Sequence, residues 1–226
     1  MSALTCIMCN APNAKFCVSC HSASYCSPAC QRTDWPLHKT ICKSFTSLPS
    51  RPTPNHKLAL FFPVNSKDPQ LIWLNCDRAK GNGWSADIPD TEPLRVENLD
   101  PDGSVVAEEY KLITRNHRRG FDYSHTVHFI CRKGFIQDGS PRNDCVWHRT
   151  KGVMSDWRGP ILVTHQPPAD IYNRTYEDIK AGDLRAAVDY FATMPLQIPL
   201  ESRITEAMDS EVQNEKIKRL RGLIPS

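Results

Sequence analysis

No run of about 18 apolar residues occurs anywhere in the 226-residue chain, so no segment is suited to cross a bilayer as a helix. The N-terminus also lacks the basic, apolar and small-residue succession of a secretory signal. A soluble, intracellular protein is therefore expected, in the nucleus and/or the cytoplasm. In such a reducing compartment cysteines are read as metal-binding thiolates and not as disulfides. A strong excess of either charge is missing too. The formal charge is +3, and all of it lies in residues 1–50, where Lys15, Arg32, Lys39 and Lys43 face only Asp34. The remaining 24 basic and 24 acidic residues cancel. No internal repeat is visible.

What the chain does have is cysteine in one place. Seven of its ten cysteines (Cys6, Cys9, Cys17, Cys20, Cys26, Cys30 and Cys42) fall in the first 42 residues, while Cys76, Cys131 and Cys145 are scattered through the rest. The spacing is Cys6-x2-Cys9-x7-Cys17-x2-Cys20-x5-Cys26-x3-Cys30-x7-His38-x3-Cys42, four ligand pairs with two or three residues between members. A Cys-x2-Cys knuckle sets two sulfurs on one metal, and x3 spacing puts both ligands on one helical face. Eight ligands complete two closed tetrahedral Zn²⁺ sites. A closed site has no open position for water or substrate, so these metals are expected to hold a fold together and to catalyse nothing. Chain order by itself permits sequential or interleaved pairing of the ligand pairs. Seven thiolates on two Zn²⁺ set seven negative charges against four positive ones, which cancels the +3 of this segment and makes the module nearly neutral. Binding nucleic acid through its phosphates requires a surplus of Lys and Arg, so DNA is disfavoured as a partner.

A Pro/Ser/Thr-rich stretch, Ser44 to Pro54, has no period and reads as a linker, giving a finger over 1–43, a linker over 44–56 and a larger domain over 57–226. With 40% hydrophobic residues the chain suffices for such a small module plus one α+β domain. Leu58–Val64 and Gln70–Cys76 are apolar, aromatic-rich runs around a turn-forming Asn65–Pro69, which predicts a hairpin. Residues 81–103 are dense in Gly, Pro, Asp and Asn and read as loop, with Pro101-Asp102-Gly103 a turn before a run reaching Thr114. Tyr123–Arg132 and Gly159–His165 read as further strands. Thr175 and Asp178 resemble a capping box opening a helix near 175–193, and a second amphipathic helix is predicted from about 202 to 221. Its basic end, Lys216–Arg221, complements a helix dipole and also matches a nuclear signal.

The run from 6 to 42 resembles the MYND finger family, in its pair spacings, in Tyr25 before the fifth ligand and Gln31 after the sixth, and in the segment Asp34-Trp35-Pro36-Leu37-His38-Lys39. An N-terminal finger followed by a compact domain is similar to small fungal proteins of that family. The resemblance implies a cross-braced fold, with Cys6, Cys9, Cys26 and Cys30 on one zinc and Cys17, Cys20, His38 and Cys42 on the other. It further implies a non-enzymatic protein-interaction module, used in transcriptional regulation or corepressor-type recruitment, that takes short Pro- and Leu-containing peptides beside an edge strand. Here that strand would be Ala23–Tyr25, with Tyr25, Gln31 and Trp35 as the contacting side chains. The alternatives are a DNA-binding transcription factor and a SET-type lysine methyltransferase. The latter is disfavoured because SET sequence precedes the finger in such enzymes, and Asn116-His117 here continues as Arg118-Arg119. Two other groups read as structural: His125-x2-His128-x2-Cys131, whose histidines point to opposite faces of the predicted strand, and Arg115–Arg119, a basic, solvated turn.

Overall fold

The architecture comes from a computed structural model, which describes residues 4–81, 84–97, 99–100, 106–152, 156–168 and 173–193. The expected turn at 101–103, the helix at 202–221 and its basic end lie outside the described residues. Two short strands, β1 (Lys15–Phe16) and β2 (Ser24–Tyr25), pair antiparallel and lead into the 19-residue helix α1 (Pro28–Thr46). The helix starts where Ser27 caps it, its side chain accepting from the Cys30 amide, with Pro28 at the first helical position, where no amide is needed. It runs three residues past the finger boundary expected at 43.

A seven-stranded sheet follows, in the order β6-β7-β8-β3-β4-β5-β9. Its strands are β3 (His56–Phe62), β4 (Gln70–Gly81), β5 (Trp84–Pro89), β6 (Glu108–Asn116), β7 (Phe121–Arg132), β8 (Ile161–Gln166) and β9 (Asn173–Arg174). All neighbours are antiparallel except β5 and β9. The long β4 pairs with β3 through its first half and with β5 through its second. The strand β5 lies in the stretch read as loop. The Gly, Pro and Asp content of that stretch argues against a strand, but the register with β4 places Asp87 across from Arg78, whose guanidinium donates to the Asp87 carboxylate (2.9 Å) and to Ser85 Oγ (2.6 Å). Tertiary pairing here overrides composition.

Alternation along the strands sends one set of side chains to each face. Ala59, Leu74, Cys76, Ile130 and Leu162 share one face with Leu94, Val106 and Tyr176. The other face meets helix α3 (Ala181–Thr193), whose buried Leu184, Ala187, Val188 and Phe191 recur at helical spacing. Phe191 sits at the centre of that layer, its ring 5.1 Å from Phe62, 5.4 Å from Phe129 and 4.9 Å from the buried Trp157, each edge to face. Such pairs add about 1 kcal/mol each beyond the area they bury. The helix begins six residues later than the capping pattern suggests. Asp178 is engaged elsewhere, bound by Arg51 (2.5 Å) and by the Leu58 amide (3.0 Å), so the segment before 181 is held along β3, and Asp183 takes the capping role by accepting from the Lys180 amide.

A short helix α2 (Asp144–Thr150), not expected from the sequence, is placed by the fully buried Asn143. Its side-chain oxygen accepts from the Val146 amide (2.9 Å), while its Nδ2 donates to the carbonyls of Phe62 (2.9 Å) and Gly159 (2.8 Å). Replacing Asn143 with Ala removes the cap and strands two buried carbonyls, so a loss of about 2 kcal/mol is expected in urea unfolding. A variant within a few tenths of wild type would show that water substitutes for the amide.

Candidate metal centres

Both Cys-x2-Cys segments fold into the same knuckle. The Asn10 amide donates to the Cys6 carbonyl (2.8 Å) and the His21 amide to the Cys17 carbonyl (2.9 Å), and Asn10 and His21 adopt positive φ (59° and 52°) to close the turns. The other four ligands come from the start and middle of α1, where Cys26 and Cys30 straddle the N-cap and His38 and Cys42 lie one turn apart. The fold therefore gathers Cys6, Cys9, Cys26 and Cys30 into one cluster and Cys17, Cys20, His38 and Cys42 into another, the interleaved arrangement.

The donor spacing tests what such clusters suit. Cys9 and Cys26 sulfurs are 3.6 Å apart, Cys26 and Cys30 3.6 Å, Cys17 and Cys42 3.9 Å, and Cys20 Sγ lies 3.6 Å from His38 Nε2. A tetrahedron of sulfurs about 2.3 Å from a central Zn²⁺ has edges of about 3.8 Å, so the clusters fit that ion, and they are far too wide for disulfides of about 2.05 Å.

Electrostatics point the same way. Burial opposes ionisation of Cys6, but amides of Cys26, Met8 and Cys9 outweigh it and lower its pKa to about 7. Further thiols in the same clusters are held back: Cys26, bonded to Cys9, Cys30 and Cys6, is raised to about 12, and buried Cys42 to about 11. Several sulfurs this close ionise together only around a cation. Burial lowers the His38 pKa against the opposing pull of Asp34, keeping the ring neutral as ligation requires. In contrast, Cys76, Cys131 and Cys145 are each pushed up to about 12, mainly by burial, and stay protonated in the sheet domain.

The finger is anchored to the sheet domain on one side. Asp34, 2% exposed, accepts from the Tyr25 hydroxyl (2.7 Å) and from Arg185 Nε (2.7 Å) of α3. The Ala181 amide donates to Ser22 Oγ (2.8 Å), Arg119 Nη1 to the Met8 carbonyl (3.2 Å), and Ile7 packs so close to Gly182 that a Cβ there would lie 3.0 Å from it. The turn read as solvated is thus part of this junction: Arg119 also pairs with the buried Asp189, to which Asn116 Nδ2 donates at 3.0 Å.

These contacts alter the expected partner surface. Tyr25 is buried (5% exposed) with its hydroxyl engaged by Asp34, so its side chain belongs to the finger interior. The edge of β2 is covered as well, since the Ser24 carbonyl accepts from the Ile7 amide (3.0 Å) and Ser24 Oγ donates to the Thr5 carbonyl (2.6 Å). Trp35 is 46% exposed and Gln31 half-buried. Also exposed on the finger are Phe16 (49%) and Val18 (86%), residues the ligand pattern does not single out. All three apolar residues flank the second cluster: Phe16 and Val18 bracket Cys17, and the Trp35 ring lies 5.9 Å from the His38 ring.

His125 and His128 do face opposite sides of β7. His128 meets the Tyr176 hydroxyl (2.9 Å), and burial takes its pKa down to about 4. His125 instead joins His165 and Asp183, a third group of close donors. Here each oxygen of the buried Asp183 carboxylate already has its own ring nitrogen, His125 Nε2 at 2.8 Å and His165 Nδ1 at 3.0 Å. The two imidazoles stack at 4.0 Å and 17°, which does not converge both nitrogens on one ion in the ring planes, so the group is a hydrogen-bonded brace for the start of α3. Burial alone would raise the Asp183 carboxyl, but the two histidine bonds overcome it and hold it far below the usual carboxylate range. No sequence signal linked residues this distant.

Comparison with known proteins is confined to the finger. Residues 6–42 match the MYND finger family. A 38-residue segment is 47% identical to the Zinc finger MYND domain-containing protein 10 homolog of Drosophila melanogaster, covering 17% of this chain but only 8% of that protein. No solved structure matches the chain.

Proposed function

We propose that this MYND finger binds two zinc ions as structural centres and that the chain acts, without catalysis, as an adaptor that recruits a protein partner. The family is one generally used for protein–protein interaction, and the eight-ligand set has no position to spare for a reacting molecule. The observation that carries the partner role is the exposure of Phe16, Val18 and Trp35 around the second cluster, on a finger whose other contacts are spent on the sheet domain. Large apolar side chains left in water in one region of a small module favour contact with a partner, and Trp is the residue that most often anchors one.

The docking strand in this reading is β1. Its pairing with β2 leaves the Phe16 backbone groups directed away from the hairpin, whereas the β2 edge is covered. A short extended segment with Leu or Pro side chains would add to β1 and rest on Phe16 and Trp35, with Gln31 as an amide contact. Regulation of transcription through such recruitment is the role we favour.

A pull-down with the full chain tests the proposal. Trp35→Ala is expected to keep two zinc ions and the wild-type melting temperature to within a few degrees while reducing partner recovery about tenfold, the loss of one anchor of 1–2 kcal/mol. If the variant instead loses metal, Trp35 is a roof over the second centre and the proposed contact surface is wrong.

A further inference from the structure

Where the finger meets the sheet domain, the surface forms a partly open pocket of about 610 Å³ between α1, the β6–β7 turn, the end of α2 and the side of α3. Five cations line it: Arg118, Arg119, Arg149, Lys151 and Arg185. No carboxylate lines it among the described residues. The acids that partner these cations lie behind or outside the wall. Asp189, whose side chain is 1% exposed, takes Arg119, Arg185 at 3.4 Å and Arg118 at 3.7 Å; Asp34, 3% exposed, takes Arg185 at 2.6 Å; and Asp68 meets Arg149 at 3.4 Å. Five positive charges thus stand against three negative ones, an excess of two.

The excess can be located. Lys151 has no ion pair among the described residues, Arg118 holds only its long contact with Asp189 and is 52% exposed, and the Nε of Arg149 is buried without a hydrogen-bond partner. A buried guanidinium donor without a protein partner is uncommon in a folded protein, and an anionic acceptor beside it would satisfy it. Beside the cations, Pro36, Leu37 and Val188 supply an apolar wall.

We propose that this cavity binds a phosphate monoester, its dianionic head held by Arg118, Arg149 and Lys151 and the organic group that carries it laid against the apolar wall. Planar guanidinium forks match the oxygens of a phosphate, and a phosphomonoester carries a charge of about −2 near neutral pH, equal to the excess of the lining. A volume of several hundred Å³ is in the range of ligand pockets and leaves room beyond the head group. A pocket of this size holds a single head group, whereas the repeating phosphates of a duplex call for an extended basic stripe. Because α1 contributes Thr33, Pro36 and Leu37, the cavity exists only while the finger is docked on the sheet domain, and occupancy would therefore stabilise that docked state.

Isothermal titration of the full, zinc-loaded chain with O-phosphoserine and with inorganic pyrophosphate, at about 150 mM salt so that exposed charges are screened, tests this. The expected result is saturable 1:1 binding, weakened about tenfold by Arg118→Ala and by Lys151→Ala and about a hundredfold by the double variant, with melting temperature and zinc content unchanged. A hexapeptide carrying phosphoserine distinguishes the source of the phosphate: tenfold tighter binding than O-phosphoserine assigns a phosphorylated protein segment, and equal binding a free phosphate ester. Absence of saturable binding, or full affinity in the double variant, overturns the proposal. So does displacement of either probe by random duplex DNA with the steep salt dependence of backbone neutralisation.

Discussion

Stripping metal from the intact chain is expected to melt residues 4–46 while the sheet persists, the largest single effect this structure implies. Apart from its ligands, the finger buries little more than Met8, Ala14, Ala23, Tyr25, Leu37 and Ile41, too few apolar groups to offset the ordering of some forty residues. Metal binding to such modules supplies on the order of 10 kcal/mol of folding free energy. Four of the eight ligands lie at or within α1, so that helix should lose most of its far-ultraviolet circular dichroism when a chelator is added. Release should come in two phases. Cys9 and Cys26 are exposed, whereas Cys17, His38 and Cys42 are buried, so the first cluster opens to chelator and to alkylating reagent before the second. Cys17→Ala/Cys20→Ala removes the inner centre directly and should leave at most one bound zinc. A metal-free chain that keeps the α1 signal and a single sharp melt would show that docking on α3, and not metal, holds the finger.

Asp34→Asn is expected to cost about 3 kcal/mol, the figure for breaking a buried pair by removing one charge. Asp34 joins three elements: its carboxylate accepts from Tyr25 beneath the second cluster and from Arg185 across the junction with α3. Asparagine retains the shape but leaves Arg185, only 12% exposed at its side chain, with the 3.4 Å contact to Asp189 as its remaining ion pair. Urea unfolding of the single variants and of Asp34→Asn/Arg185→Met measures the coupling. If the second substitution restores most of the loss, the cost is that of a stranded buried charge. Strict additivity would mean that the two residues do not act as a pair, and the docking of the finger would have to rest on Ser22, Met8 and Ile7.

The two metal-ligand clusters are legible in the sequence because the signal is local. Residue type and a spacing of two or three residues decide whether two donors reach one ion, and the four pairs of this chain satisfy that condition whatever the rest of the molecule does. Strands rich in Val, Ile, Phe and Thr, such as β7 and β8, were legible for a similar reason, since alternation is set by the backbone. β5 was not, because its stability comes from β4 and from the Arg78 pair with Asp87, and its own composition argues for loop. The start of α3 was misplaced because Asp178, a sound capping residue by pattern, is bound instead by Arg51, 127 positions earlier. The family resemblance implies Tyr25 as a contact residue, whereas it lies inside, because no spacing rule announces Asp34 as a buried acceptor serving both it and Arg185.

By itself the sequence determined that residues 6–42 carry two four-ligand sets suited to a metal ion, since ligation depends on neighbours a few residues apart. Only the tertiary structure decided that the finger is seated on the sheet domain, that Phe16 and Trp35 are exposed while Tyr25 is buried, and that five cations line one pocket at the junction. These follow from pairings such as Arg185 with Asp34, 151 positions apart, and Asn116 with Asp189, 73 apart. Contacts at that separation have no period and no spacing rule, because it is the packing of whole elements that brings them together.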